Sequence, residues 1–384
     1  MTNDDRYEDF ARKILLRHRP QAEAPEDAVE MPATLARHAA RMIDRDPFLN
    51  RLAERSGDAL AMRHGLSRLE LPPVLAFLLA QARTERPQLF DHLLLVALIA
   101  HYLVLRRDLS APETASVLLA GLCHDLGELY TDPALLALDH RIGDEERRFV
   151  YVHPITGYLV VQEVAGLDPN VATAVLQHQE RLDGSGYPYG LRAERIGPIA
   201  RIIGIADVCA AILGRFASHR RLDALLRLNR QKFDIGLLSL LQDSAQALPQ
   251  PARQDRSRLP QARIRAAAEL LERWAEFRPA LAHGGVRREL AFLIERMAAL
   301  RHMLVHFGFD PESQQLLLEI AGDDPAMAAE LDAALDEVHW QFRDLEREIL
   351  RRREAIEPLL DGDGKRLLNE WTNQLRGYME MAGD

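Results

Sequence analysis

The chain has 384 residues, 47% hydrophobic and 28% charged, a globular composition long enough for two or three domains and unlike that of a disordered chain. Its formal net charge of −10 argues against a broad electrostatic grip on DNA, while leaving room for a local basic pocket around a small phosphate ligand. Two cysteines, Cys123 and Cys209, without CxxC spacing, exclude a disulfide framework and make the cytoplasm the expected compartment.

The N-terminal MTNDDRYEDF is acidic where a secretory leader would be basic and then apolar. Residues 1–20 alternate charged and apolar positions at helical spacing, and Pro20 with the following QAEAPEDAVE predicts a break. A second amphipathic pattern runs from Pro32 to about His64, interrupted at Asp46-Pro47, and Pro72-Pro73 opens the apolar VLAFLLAQA. Residues 1–89 thus read as a helical N-terminal region. The most apolar stretch, Leu93 to Ala100, falls short of the roughly 18 residues that span a bilayer, so no membrane span is expected. The block 90–242 holds every cluster of His, Asp and Gly able to do chemistry. Residues 243–261, which include the proline-punctuated ALPQPARQDRSRLPQ, read as a linker. From 262 to 384 the pattern is helical again. There Leu331, Leu335, Val338, Phe342, Leu345 and Ile349 form a stripe better read as bundle core than as a coiled-coil seam. Few aromatics and much Ala, Leu, Arg and Glu make the whole chain all-α.

The candidate site residues are His92, His124, Asp125, His153, His178 and Asp207, each in a helical context. A helical bundle can aim such side chains inward from facing helices to hold a metal. Imidazoles and carboxylates suit divalent iron, manganese or zinc, and one carboxylate can bridge two ions. Bound water then becomes a nucleophile at neutral pH, and the ions offset charge on a phosphoryl group. A lone His-Asp dipeptide means little, because a buried histidine is more often a hydrogen-bonded core residue than a ligand. Weight comes from the set and from the glycine turn HQERLDGSGYP, His178 to Pro188; taken alone, that turn is equally well an ordinary helix-to-loop transition.

Taken together these motifs closely resemble the HD-GYP family, a branch of the HD-domain phosphohydrolases. The order is a first His (His92), HDxG (His124, Asp125, Gly127), HPxxG (His153, Pro154, Gly157), HxExxDGSGYP and a final helical Asp (Asp207). The similarity extends through Arg195 to Asp207 and Lys232-Phe233-Asp234, to about residue 242. The resemblance implies an HD-domain helical bundle that hydrolyses a cyclic dinucleotide, typically cyclic di-GMP, to pGpG or GMP. It implies a cofactor of one or two divalent transition metal ions, iron or manganese. By position, His92, His124, Asp125 and Asp207 would hold the first ion, and Asp125 would bridge to a second held by His153 and His178. His124 and Asp125 would be the catalytic pair. Around the substrate it implies Glu128, Arg181, Asp183, Gly184, Gly186, Tyr187, Pro188 and Arg215, and it leaves the GYP loop or the helical flanks as surfaces for a protein partner or a homodimer.

The pattern departs from the family in a consistent direction. Gln179 replaces the second His of a usual His-His-Glu, which the sequence suggests weakens the second ion's site, because an amide oxygen is a poor transition-metal ligand. Glu128 stands where the family has Lys, and would repel phosphate or donate to a metal. Ala210 replaces an Asp, Gly214 to Ser218 replaces a usual Arg-Pro-Tyr, and Gln88, four before His92, supplies no carboxylate for a further ion. Two readings follow: a weakened phosphodiesterase, or a degenerate module that binds a nucleotide or a protein without efficient turnover. Cys123 and Cys209 read as inert buried thiols. His101, His140 and His219 match no ligand position, His302 and His306 read as helix surface, and Trp274, Trp340 and Trp371 as core or helix contacts.

Overall fold

The computed structural model describes residues 3–17, 30–131, 144–216, 231–246, 261–282, 325–382 and parts of 290–300. The chain divides into two compact units, Met1–Gln250 and Pro251–Asp384. Both are helical. Among the described residues the only β pairing noted is one isolated antiparallel bridge, Asp183 with Arg192.

The first unit contains α1 (Asn3–Arg17), α2 (Met31–Arg45), α3 (Pro47–Arg55), α4 (Ala59–His64), α5 (Pro73–Glu85) and α6 (Pro87–Arg106). It continues with α7 (Ala111–Cys123), α8 (Asp144–Val161), α9 (Pro169–Gln177), α10 (Pro198–Phe216) and α11 (Ile235–Gln246). The starts of these helices are written locally. Asp46 Oδ1 accepts from Phe48 N and Leu49 N at 2.8 and 3.0 Å with Pro47 in the first turn, so the interruption at Asp46-Pro47 is a capped restart. Ser110 and Glu113 form a capping box ahead of α7, and Asp168 caps α9 through Asn170 N at 2.9 Å.

Helix α6 is central to the bundle and packs against α7, α10, α5 and the N-terminal helices. The sequence confined its apolar run to Leu93–Ala100, but the helix has 20 residues and is apolar enough, by length and composition, to cross a membrane. Two thirds of that apolar window is buried among neighbouring helices. Long apolar segments of this kind are also what the middle of a helical bundle requires. Two boundaries differ from those read in the sequence. Helices α2 to α5 bury Leu35, Ile43, Leu52, Met62, Leu75 and Leu79 within the same unit as the 90–242 block. At the other end α11 runs through Gln246. Ser244, placed in the linker by sequence, is fully buried and hydrogen-bonded to the Tyr102 hydroxyl at 3.0 Å. Residues 247–260 and Arg215's side chain lie outside the described residues, as do His140, His219, His302 and His306.

The second unit comprises α12 (Gln261–Ala282), α13 (Pro325–Ile356) and α14 (Gly362–Ala382). Its core takes Leu335, Val338, Phe342, Leu345 and Ile349 from α13, the apolar stripe legible in the sequence. Trp274 and Trp371 lie 5.4 Å apart between ring centroids, and the Trp371 indole N–H donates to Leu270 O at 3.2 Å, while Trp340 is half-buried. Glu346 is buried and accepts from Arg376 Nε at 2.7 Å.

Candidate metal centre

Five elements bring the six residues to one place. His92 comes from the second turn of α6, His153 from α8, and Asp207 from the middle of α10. His124 is the C-cap of α7, with Asp125 opening the 3₁₀ turn Leu126–Tyr130, and His178 is the C-cap of α9. Helix C-termini leave carbonyls without intrahelical partners, and here the imidazoles use them. His124 Nδ1 donates to Gly121 O at 2.8 Å and His178 Nδ1 to Val175 O at 2.7 Å. Each bond places the proton on Nδ1, so the Nε2 lone pair of the neutral ring points inward.

The inward atoms form two groups that share Asp125. In the first, His92 Nε2 and His124 Nε2 are 3.3 Å apart, with Asp207 Oδ1 at 3.0 Å from His92 and Asp125 Oδ2 at 3.2 Å from His124. In the second, His153 Nε2 and His178 Nε2 are also 3.3 Å apart, and Asp125 Oδ1 lies 3.2 and 3.1 Å from them. All four rings except His92, which is about a quarter exposed, are buried.

This donor set fits divalent cations. Asp125 Oδ1 is buried and accepts no well-formed hydrogen bond. The nearest His178 nitrogen faces it with a lone pair, because its ring proton is committed to Val175. Lone pairs gathered this closely are stable only around positive charge, which protons or metal ions supply. With protons alone the groups respond strongly. Burial opposes ionisation of Asp125, but His124 and His153 prevail and hold it well below the usual carboxylate range. Asp207, likewise buried, is held at about 2 by His92 and His124. For His124, burial favours the neutral ring, yet the Asp125 and Asp207 charges raise its pKa to about 9. Burial keeps His178 below its ordinary value. Imidazole and carboxylate donors suit iron, manganese or zinc.

The glycine turn is built against the centre by specific contacts. Glu180, buried, accepts from Tyr189 N at 2.7 Å and Leu191 N at 2.8 Å, so its carboxylate braces the loop from beneath. Asp183 accepts from Ser185 N and Ser185 Oγ at 2.9 and 2.6 Å, and Gly184 turns the chain at φ +80°. A Cβ on Gly186 would stand 2.3 Å from Glu180 Cα and 2.4 Å from Gln179 O, so only glycine passes here. Pro188 is buried behind a cis peptide, and the Tyr187 ring meets His153 edge-on at 6.1 Å. Tyr187 is thus the member of the turn in ring contact with the centre.

The structure gives three of these residues neighbours that the sequence did not specify. Arg181, expected at the substrate, is buried and turned inward. Its Nη1 donates to His178 O and Glu180 O, both at 2.9 Å, and its guanidinium lies over the Phe233 ring at 5.4 Å. Gln179, expected beside the second ion's ligands, lies instead next to Asp207, with Nε2 donating to Asp207 Oδ2 at 2.9 Å. Asp125, His153 and His178 bring three donors together without it. Glu128 sits half-buried in the 3₁₀ turn, where burial and the nearby Asp125 charge raise its pKa to about 7. The brace formed by Glu180 was not anticipated, although its place in HxExxDGSGYP was the available signal. Gly127 packs so tightly that a Cβ would meet His153 O at 2.1 Å, which ties the HDxG glycine to the HPxxG histidine. Cys123 and Cys209 are buried, and burial pushes the Cys123 thiol up to about 12 and Cys209 higher, so neither is a nucleophile.

An all-helical bundle that gathers imidazoles around a shared His-Asp carboxylate has the build of an HD phosphohydrolase. The HD domain profile matches residues 41–235, half of the chain. The chain belongs to the HD domain family, as a divergent member of its HD-GYP-type group. Among similar proteins, "Cyclic di-GMP phosphodiesterase PA4108" of Pseudomonas aeruginosa is 32% identical over 137 residues, 35% of this chain and 33% of that protein. "3'3'-cGAMP-specific phosphodiesterase 1" of Vibrio cholerae is 33% identical over 139 residues, 36% of this chain and 32% of that one. The matched segments thus span about a third of these curated relatives. A solved structure, Bd1817, an HDG"Y"P protein from Bdellovibrio bacteriovorus, covers 64% of this chain and 82% of its own at 17% identity and a TM-score of 0.38.

Proposed function

We propose that the first unit is a metal-dependent phosphodiesterase that cleaves a cyclic dinucleotide, cyclic di-GMP above all, to pGpG or GMP in bacterial second-messenger signalling in the cytoplasm. The observation that carries this reading is Asp125, one oxygen turned to each of two imidazole pairs. Relatives named as cyclic di-GMP and 3'3'-cGAMP phosphodiesterases support the substrate class. His92, His124, Asp125 and Asp207 would hold one divalent ion, and Asp125, His153 and His178 a second, manganese or iron. When bound, such ions supply Lewis acidity toward phosphoryl oxygens and lower the pKa of water. The chain's own contribution is placement. Asp125 orients the attacking water, His124 and His178 are locked by their Nδ1 bonds, and Tyr187 forms a wall beside His153 against which a base can rest.

Glu128 favours a second reading, a module that binds the nucleotide or a partner protein and turns it over poorly, because a carboxyl group at the centre opposes substrate phosphates. The two separate in one experiment. Purified protein with Mn(II) or Fe(II) is given cyclic di-GMP and 3'3'-cGAMP, alongside Asp125→Ala and Glu128→Lys, while calorimetry follows binding. Turnover lost in Asp125→Ala supports the enzyme. Binding without turnover in the wild type, with turnover gained in Glu128→Lys, supports the module. Neither binding nor turnover of either nucleotide refutes both.

A further inference from the structure

His92 is the least enclosed imidazole of the centre and the least tethered. His124 and His178 are fixed by Nδ1 bonds to carbonyls of their own helices, whereas among the described residues nothing holds His92 Nδ1. Its place opposite Asp125 therefore depends on how α6 itself is seated. Helix α6 begins at Arg86, which closes α5 by donating its N–H to Ala82 O at 2.8 Å and opens α6 by accepting from Phe90 N at 3.1 Å. Pro87 follows at once, so the backbone of this elbow has little freedom. The half-buried Arg86 side chain leaves the elbow, and its Nη2 donates to Thr131 O, in the segment that carries Asp125.

The accepting end of that bond is equally well fixed. Glu128 N donates to Asp125 O and Thr131 N to Glu128 O, both at 2.9 Å, so the 3₁₀ turn runs from the shared carboxylate to Thr131 without slack. Thr131 is buried, and a buried carbonyl needs a donor, which the long guanidinium supplies from another element. We propose that Arg86 is a positioning residue for the first ion: it fastens α6 to the Asp125 turn and so sets the reach of His92 toward Asp125. That reach is 3.7 Å between His92 Nε2 and Asp125 Oδ2. His92 follows Arg86 by six residues, roughly 9 Å along the helix, so the arginine acts through the ligand and is not one of the donors. His153 and His178, which complete the second group, stand on α8 and at the end of α9, away from this bond. This inference rests on the two-ion reading above.

The test measures metal affinity ion by ion. The chelator-stripped full chain is titrated with Mn(II) in a calorimeter, with circular dichroism to verify folding. Arg86→Met keeps an apolar stem and deletes every donor. It should weaken one of the two ions by about ten- to a hundredfold, the usual cost of losing a group that orients a metal ligand, and leave the other near its wild-type affinity. Arg86→Lys, which can still donate one N–H to Thr131 O, should recover most of the loss. A cycle with His92 assigns the ion: in His92→Ala, the Arg86→Met change should cost no further affinity, because the ligand it positions is gone. If Arg86→Met does not fold, Arg86→Gln, whose amide ends short of the carbonyl, carries the same expectation. Equal weakening of both ions, no weakening, a loss that lysine does not recover, or full additivity with His92→Ala overturns the inference and leaves the two-ion centre standing. Fewer than two ions in the wild type overturns the centre itself, and is thereby distinguishable.

Discussion

If Asp125 is shared by both groups of donors, replacing it should remove two ions where replacing His153 removes one. Asp125→Asn keeps the side chain's shape while deleting the charge that sits within 3.2 Å of three imidazole nitrogens. At a hundredfold excess over Kd, one ion bound only to the folded state adds about 2.7 kcal/mol. For a unit of some 250 residues, each kcal/mol moves Tm by roughly 2–4 °C, so each ion should raise Tm by about 5–11 °C. Melting curves with and without Mn(II), paired with elemental analysis, should give the wild type both increments and two ions. His153→Ala should keep one increment and one ion, because the His92, His124, Asp125 and Asp207 group is intact. Asp125→Asn should show neither. Its metal-free form should also melt lower than the wild type, since breaking a buried charge pair costs about 3–5 kcal/mol. An Asp125→Asn protein that gains the full wild-type increment with Mn(II) would refute the shared bridge.

His101 carries a pH prediction away from the centre. It is buried, its Nδ1 has no hydrogen-bond partner, and burial lowers its pKa to about 4 despite Asp58 nearby. The folded state thus binds the proton less well than the unfolded chain. Its penalty is absent above pH 6.5, grows as pH falls and is complete below 4, at about 3 kcal/mol. Urea unfolding of wild type and His101→Phe should diverge in that window, and parallel curves would show that His101 does not titrate there. Gly127→Ala should cost about 1–3 kcal/mol, as overpacking against backbone does, and should weaken Mn(II) binding because the clash is with the His153 carbonyl. Unchanged Tm and metal content would count against that packing.

The helical class was legible because periodicity survives in every element, from the capped restart at Asp46-Pro47 to the α13 stripe. The identity of the six centre residues was legible through motif order, and the structure gathers them into two groups. Direction was not legible. The sequence cannot say that Arg181 turns inward to carbonyls, or that the Gln179 amide reaches Asp207, since both depend on how the turn folds back over α9 and α10. Nor does a hydrophobic count reveal that α2 to α5 share one unit with the later helices, because amphipathic stripes specify that a face is covered and not by what.

Helix α1 reaches the helix that supplies His153. Ala11 and Ile14 lie against Val152, Ile155 and Leu159, on the turns of α8 that bracket the imidazole. A fragment trimmed to the family match, 41–235, would lack α1 and keep only Tyr130, Leu129 and Leu176 of this cover over α8. The helix that supplies His153 thus owes part of its apolar cover to residues well ahead of where the family match begins.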